Sequence, residues 1–115
     1  MSVNRRRGEV AARLDGREYR LCLTLGALAE LEAAFAVADL NALVARLGEG
    51  RMAAADIVAI IGAGLRGGGH ELSDADVRTM RCEDGAAGFA RLAGELLAVT
   101  FGASEGAQQA DTPNP

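Results

Sequence analysis

Two short runs near the start of the chain alternate apolar and polar residues. In residues 9–14 (EVAARL), Val10, Ala12 and Leu14 share one face, and Glu9, Ala11 and Arg13 share the other. In residues 18–23 (EYRLCL), Tyr19, Leu21 and Leu23 oppose Glu18, Arg20 and Cys22. A period of two marks a strand with one buried face. Asp15-Gly16-Arg17 lies between the runs, and Asp-Gly supplies the positive φ that a tight hairpin turn demands. The pattern predicts a β-hairpin.

Beyond Leu23 the period becomes helical. Thr24 stands at an N-cap position, where its hydroxyl can accept a free backbone N–H. Behind it, LGALAELEAAF spaces Leu25, Leu28, Leu31 and Phe35 as one helical face, with Glu32 on the opposite side. A second short helix is predicted after Asp39, carrying Leu40, Leu43, Val44 and Leu47 and stopped by Gly48-Glu49-Gly50. The third begins near Ala53 and aligns Ile57, Ile60, Ile61 and Leu65. A fourth starts at Ser73, with Asp76 at the capping-box position and Leu72 placed to staple onto Val77, and runs to about Arg81. The last, from about Gly85 to Phe101, turns Phe89, Leu92, Ala93, Leu96, Leu97 and Thr100 inward.

These elements define an α+β fold, mostly α, in which an N-terminal β-hairpin precedes a compact bundle of about five short helices. One domain, residues 9–102, follows a flexible basic arm (1–8). Residues 103–115 turn polar and are expected to be disordered.

The stretch IIGAGLRGGGH, residues 60–70, complicates this picture. Gly62, Gly64 and Gly67 spell G-x-G-x-x-G behind the apolar run Ile57-Val58-Ala59-Ile60-Ile61, as a dinucleotide-binding turn would. Glu83 and Asp84 even lie about twenty residues on, where a ribose-binding acid belongs. That fingerprint requires a helix to open at its third glycine. Here Gly67 is followed by Gly68 and Gly69, and each glycine costs a helix about 1 kcal/mol relative to Ala. No helix dipole would face a pyrophosphate, and no β-rich run follows Ser73. The helical reading explains more: the three glycines stop the helix, and Arg66 suits its negative end. Gly62 and Gly64 then let a neighbouring element approach closely. No cofactor is expected.

With 115 residues, the chain suits one domain with one core. Aromatic content is 3%, so Leu, Val, Ile and Ala must fill that core, with Phe35, Phe89 and Phe101 as large fillers. A net charge of -4 and a pI near 4.9 oppose the basic field of a nucleic-acid module. Arg5-Arg6-Arg7 reads as a solubilising arm, with an acidic partner or nucleic acid as the alternative. There is no signal-peptide pattern and no uncharged apolar run of membrane-spanning length.

Candidate chemistry is sparse. Cys22 and Cys82 fit no metal spacing, and His70 is the single histidine. Free, buried thiols in a reducing cytoplasm and a solvated loop histidine are expected. Pairs such as Glu30/Glu32 and Asp74/Asp76 stand two apart and point to different sides of a helix. No metal site and no enzyme are expected; binding to other proteins is.

Three stretches carry a family resemblance: NRRRGEV at the start, LCLTLGALAELE after the hairpin, and GLRGGG followed by LSDADV. They resemble the small tail-assembly family of gene transfer agents, phage-like particles that bacterial chromosomes encode and that package host DNA. The resemblance implies a tail assembly chaperone, which would coat the tape measure protein in the cytoplasm until tube subunits polymerise around it. The implied partners are the tail tape measure protein and/or the tail tube protein, with neither membrane nor nucleic acid.

Members are also described as tail tube proteins, but a tube wall is a continuous β-barrel needing many strands per subunit. Two predicted strands place a structural tube or tail-completion role second, and a nucleic-acid-binding accessory third. The family brings no catalytic or metal residues. The matching positions, Leu23 to Glu32 and Gly64 to Gly69, mark fold or partner surface. Leu25, Leu28, Glu32, Phe35 and Arg66 are the candidate partner-binding residues, with the helix from Leu25 to Phe35 forming part of a groove.

Overall fold

The hairpin turn is made by Asp15 and Gly16, with φ of 55° and 75°. Both central residues of a type I′ turn need positive φ, and Asp is among the few side chains that tolerate it. Strand β1 (Glu9–Leu14) pairs antiparallel with β2 (Arg17–Cys22). The register sets Leu14 opposite Arg17, so Arg17 opens β2 and the turn has two residues. Val10, Leu14, Tyr19 and Leu21 are buried on the inner face, as the alternation requires.

The computed structural model describes Asn4, residues 7–35 and residues 53–102. Four α-helices lie within them: α1 (Leu25–Phe35), α2 (Ala54–Gly67), α3 (Asp74–Arg78) and α4 (Gly85–Leu97), the last running into a π-helical turn, Ala98–Gly102. The α+β, mostly helical class holds. The count of about five does not hold for the described residues: the helix expected after Asp39 lies outside them, as do Arg5, Arg6 and residues 103–115.

Helix starts follow their capping residues. Ala27 N–H donates to Thr24 Oγ1 at 3.1 Å. Ala53 N–H donates to Asp56 Oδ2 at 3.0 Å. At α3 the box is reciprocal: Asp76 N–H donates to Ser73 Oγ, and Ser73 N–H to Asp76 Oδ2. Helix α3 nevertheless ends at Arg78 rather than near Arg81. Residues beyond Thr79 are drawn to the hairpin, where Asp15 N–H donates to Arg81 O and Arg81 N–H to Asp15 Oδ1, both at 2.8 Å. Leu14 and Cys82 form the bridge between them. Two such bonds replace what another turn of α3 would have made.

Helix α2 is the hub, packing on α1, α3, α4 and β2. Ala59 through Leu65 are all buried, which a helix sustains only when enclosed on every side. Its glycines sit where neighbours come closest. A Cβ on Gly64 would lie 2.8 Å from Leu96 Cδ1 and 3.3 Å from Leu21 Cδ2, so α4 and β2 clamp it from both sides. On Gly62 a Cβ would collide with the Asp74 carboxylate.

Gly67 and Gly68 meet backbone. A Cβ there would overlap the carbonyl oxygens of Cys22 and Arg20, on the outer edge of β2. Gly68 has an ordinary φ of -82°, so it is space, not conformational freedom, that requires glycine. The hydrogen in place of Cβ faces the carbonyl, a Cα–H···O arrangement. His70 completes the seal: Arg20 N–H donates to its Nε2 at 3.3 Å, and its ring stands edge-on to Tyr19 with centroids 5.0 Å apart. It is a half-buried edge cap, not the solvated loop histidine expected, because the glycine turn folds it back onto β2.

Substitution at adjacent glycines should separate space from conformation. Gly68→Ala is expected to lower stability by about 3 kcal/mol, since backbone must be displaced. Gly69→Ala, in open space at φ 97°, should cost only the strain of positive φ, about 1 kcal/mol. Urea unfolding of both variants measures the difference; equal losses would show that the close approach is not what Gly68 serves.

Candidate functional site

Helix α1 carries four of the five candidate residues, and it divides them. Ala27 and Leu31 form its buried side. Leu28 and Phe35 lie half-buried against the core, and Glu32 is exposed. Leu25 opens the helix and is 84% exposed, the one large hydrophobic so exposed among the described residues.

Arg66 is not presented outward beside them. Its Nη2 and Nε donate to Glu30 Oε1 at 2.7 and 3.1 Å, and its Nη1 donates to Leu72 O at 2.8 Å. Nη1 also lies 3.2 Å from Asp74 Oδ1. That oxygen is buried without a hydrogen bond, so the approach is a charge contact only. The guanidinium therefore joins α1, α2 and the start of α3. Its pKa is held above the ordinary arginine value, first by the hydrogen bond to Glu30 and further by Asp74, against desolvation. Gly62 makes the clasp possible by leaving the Asp74 carboxylate room on α2. Glu30, not the candidate Glu32, is the partner, because residues two apart face different sides of a helix.

Across α3 from this clasp lies a groove of about 150 Å³. Ile57, Val58 and Ile61 of α2 form one wall, Val77 and Met80 another, and Phe89 of α4 the third, with Arg78 at the rim. Val77 and Ile61 are buried at its floor, while Ile57, Val58, Met80 and Phe89 are half-buried. Past Met80 and Phe89 the opening continues to Arg81 and Cys82. Sequence reasoning missed this feature. One signal was available: Ile57 and Val58 are adjacent, so a helix cannot bury both on one narrow face.

The groove suits an apolar side chain. Both cysteines are free and half-buried rather than buried as expected, because each lies at an end of the hairpin instead of beneath it. Cys22 Sγ lies 3.7 Å from Arg7 O. Burial, and then the nearby Glu9 charge, raise its pKa above the ordinary thiol value, which keeps it protonated.

Residues 7–103 match the family described as phage tail tube protein, GTA-gp10. The chain belongs to this family. No curated protein and no solved structure matches it. The GTA-gp10 match spans every element from β1 to the π-helical turn, and it bears out the gene-transfer-agent, phage-tail part of the resemblance. Its description is of a tail tube protein and specifies no chaperone. The structural tail role, ranked second on strand count, therefore fits the GTA-gp10 family better than the ranking allowed. Among the described residues, no helix is long and apolar enough to cross a membrane.

Two measurements probe this region. Glu30→Ala is expected to cost about 0.5 kcal/mol, as a half-exposed pair should. Arg66→Ala should cost more, because Leu72 O and Asp74 also lose their cation; comparing urea midpoints checks the order. The Asp76 carboxylate is held below the ordinary aspartate range by hydrogen bonds from Ser73, the backbone N–H first. Its capping contribution is thus fully present above about pH 4 and lost as pH falls through the lowered folded value. Carboxyl NMR should find Asp76 titrating low, and Ser73→Ala should move it part-way back.

Proposed function

We propose that this chain is a non-enzymatic structural component of a phage-like, gene-transfer-agent tail, working through contact with tail tube subunits. The match of residues 7–103 to the GTA-gp10 tail tube family carries this reading. The geometry is compatible with contact rather than chemistry. His70 is engaged with Arg20 N–H and Tyr19, Arg66 with Glu30, and the Cys22 thiol stays protonated. In this proposal the exposed Leu25 and Glu32 of α1, with the half-buried Leu28 and Phe35 beside them, form a contact surface. Arg66 contributes by holding α1 in place.

A second reading, a tail assembly chaperone that binds the tape measure protein, is favoured by one specific observation. The described residues contain a single two-stranded sheet, and the outer edge of its β2 strand is covered. Gly67 to His70 cover β2, while Asn4 O accepts from Glu9 N–H and Arg81 O from Asp15 N–H at the two ends of β1. The covered β2 edge offers little to strand pairing in a continuous wall.

Quantifying the protein in purified particles separates the two. The structural role predicts a fixed ratio of this chain to the tube subunit in finished tails. Absence from the particle, together with a tape measure protein that is soluble only when co-expressed with this chain, would replace it with the chaperone reading.

A further inference from the structure

We infer that the groove between α2, α3 and α4 is a docking site for one bulky apolar side chain carried on an acidic amphipathic helix of a partner protein. The inference needs only the broad reading that the chain works by binding protein, and holds under either tail role.

Size sets the first limit. A cavity of about 150 Å³ lined by aliphatic and aromatic groups takes a ligand the size of a benzene ring. That is room for one Phe, Leu or Met side chain and not for a whole segment. The lining of Ile57, Val58, Met80 and Phe89 is half-exposed, whereas Ile60, Leu65 and Leu96 of the same layer are fully buried. Filling the groove would remove that remaining apolar surface from water, and single anchors of this kind carry much of the energy of protein interfaces.

Charge sets the second. Arg78 stands exposed at the rim and Arg81 at the far end of the continuing opening. Neither makes an ion pair within the described residues, whereas Arg66 is paired with Glu30 and Asp74, and Arg91 with Asp84. Asp15 and Glu83 border Arg81 on its hairpin side, so Arg78 is the stronger of the two anchors. An apolar opening whose charged lining residues are Arg78 and Arg81, on a chain of net charge -4, complements an acidic surface around an apolar residue.

Backbone chemistry decides the partner's conformation. An extended peptide would need free main-chain groups along the groove. In the wall between α3 and α4, Met80 N–H already donates to Val77 O, and Arg81 uses both N–H and C=O on Asp15. A helix satisfies its own backbone and can present an anchor with acids three or four positions away.

The test uses the full chain, isotope-labelled, titrated with a short helix-forming peptide of Ala and Glu bearing one central Phe. Shifts should concentrate at Ile57, Val58, Val77 and Phe89. Replacing the peptide's Phe by Ala, or its Glu residues by Lys, should weaken binding at least about tenfold, the effect of losing one anchor or reversing the charge match. Ala86 of α4 also lines the groove and is exposed; Ala86→Leu, which narrows the groove, and Arg78→Glu should do the same while leaving the circular dichroism spectrum unchanged. No shifts up to the solubility limit of the peptide would overturn the proposal. So would equal binding of the Ala peptide, shifts centred elsewhere, or concentration-dependent self-association that fills the groove with a second copy. None of these outcomes alters the copy number in particles, so failure here is distinct from failure of the tail role.

Discussion

The contact between the C-terminal turn of α2 and the outer edge of β2 governs the arrangement of this protein. There, Gly67 and Gly68 bring main chain against the carbonyl oxygens of Cys22 and Arg20, closer than any side chain would permit. Because α2 also touches α1, α3 and α4, its distance from the hairpin sets the depth of the whole core. One turn earlier, Gly64 lies between Leu21 and Leu96, so the sheet and the last helix are fitted to the same narrow section of α2. Glycine weakens a helix interior by about 1 kcal/mol. Here that loss is offset by burial of Ile60, Ile61, Leu65 and Leu96, none of them exposed.

The same contact shapes the β2 edge and the groove. Folding the glycine turn onto β2 carries His70 to Arg20 N–H and closes an edge that would otherwise invite pairing with another chain. On the far side, attachment of Arg81 and Cys82 to the hairpin ends α3 early and leaves Met80 outside any helix. Met80 then lines the groove with Ile57 and Phe89. Edge closure and groove formation are thus two results of tying both ends of the α2–α3 segment to one hairpin. The chain that carries these features belongs to the phage tail tube, GTA-gp10 family.

Legibility along the chain followed the range of the interactions. The Asp15-Gly16 turn, the Ser73–Asp76 box and the Thr24 cap involve residues at most three apart, and each formed as its local chemistry required. The end of α3 was misplaced because its competitor, Asp15, lies sixty-six positions from Arg81. Arg66 was recognisable as a residue of consequence, yet its partner Glu30 is thirty-six positions away and was passed over for Glu32. The groove was the least legible feature. Two helices and the segment after α3 contribute half-buried side chains to it, and to a helical period those positions look like ordinary core.

By itself the sequence determined where the chain alternates, where it coils, and where it must stop. It also determined that Gly67 to Gly69 end a helix, since consecutive glycines cannot open one. Only the tertiary structure decided what each missing Cβ makes room for: a carboxylate at Gly62, two leucines at Gly64, and main-chain carbonyls at Gly67 and Gly68. The physical reason is that a helical period reports which side of an element is apolar. It carries no information about how near the facing element comes, and that distance is set jointly by residues far apart in the chain.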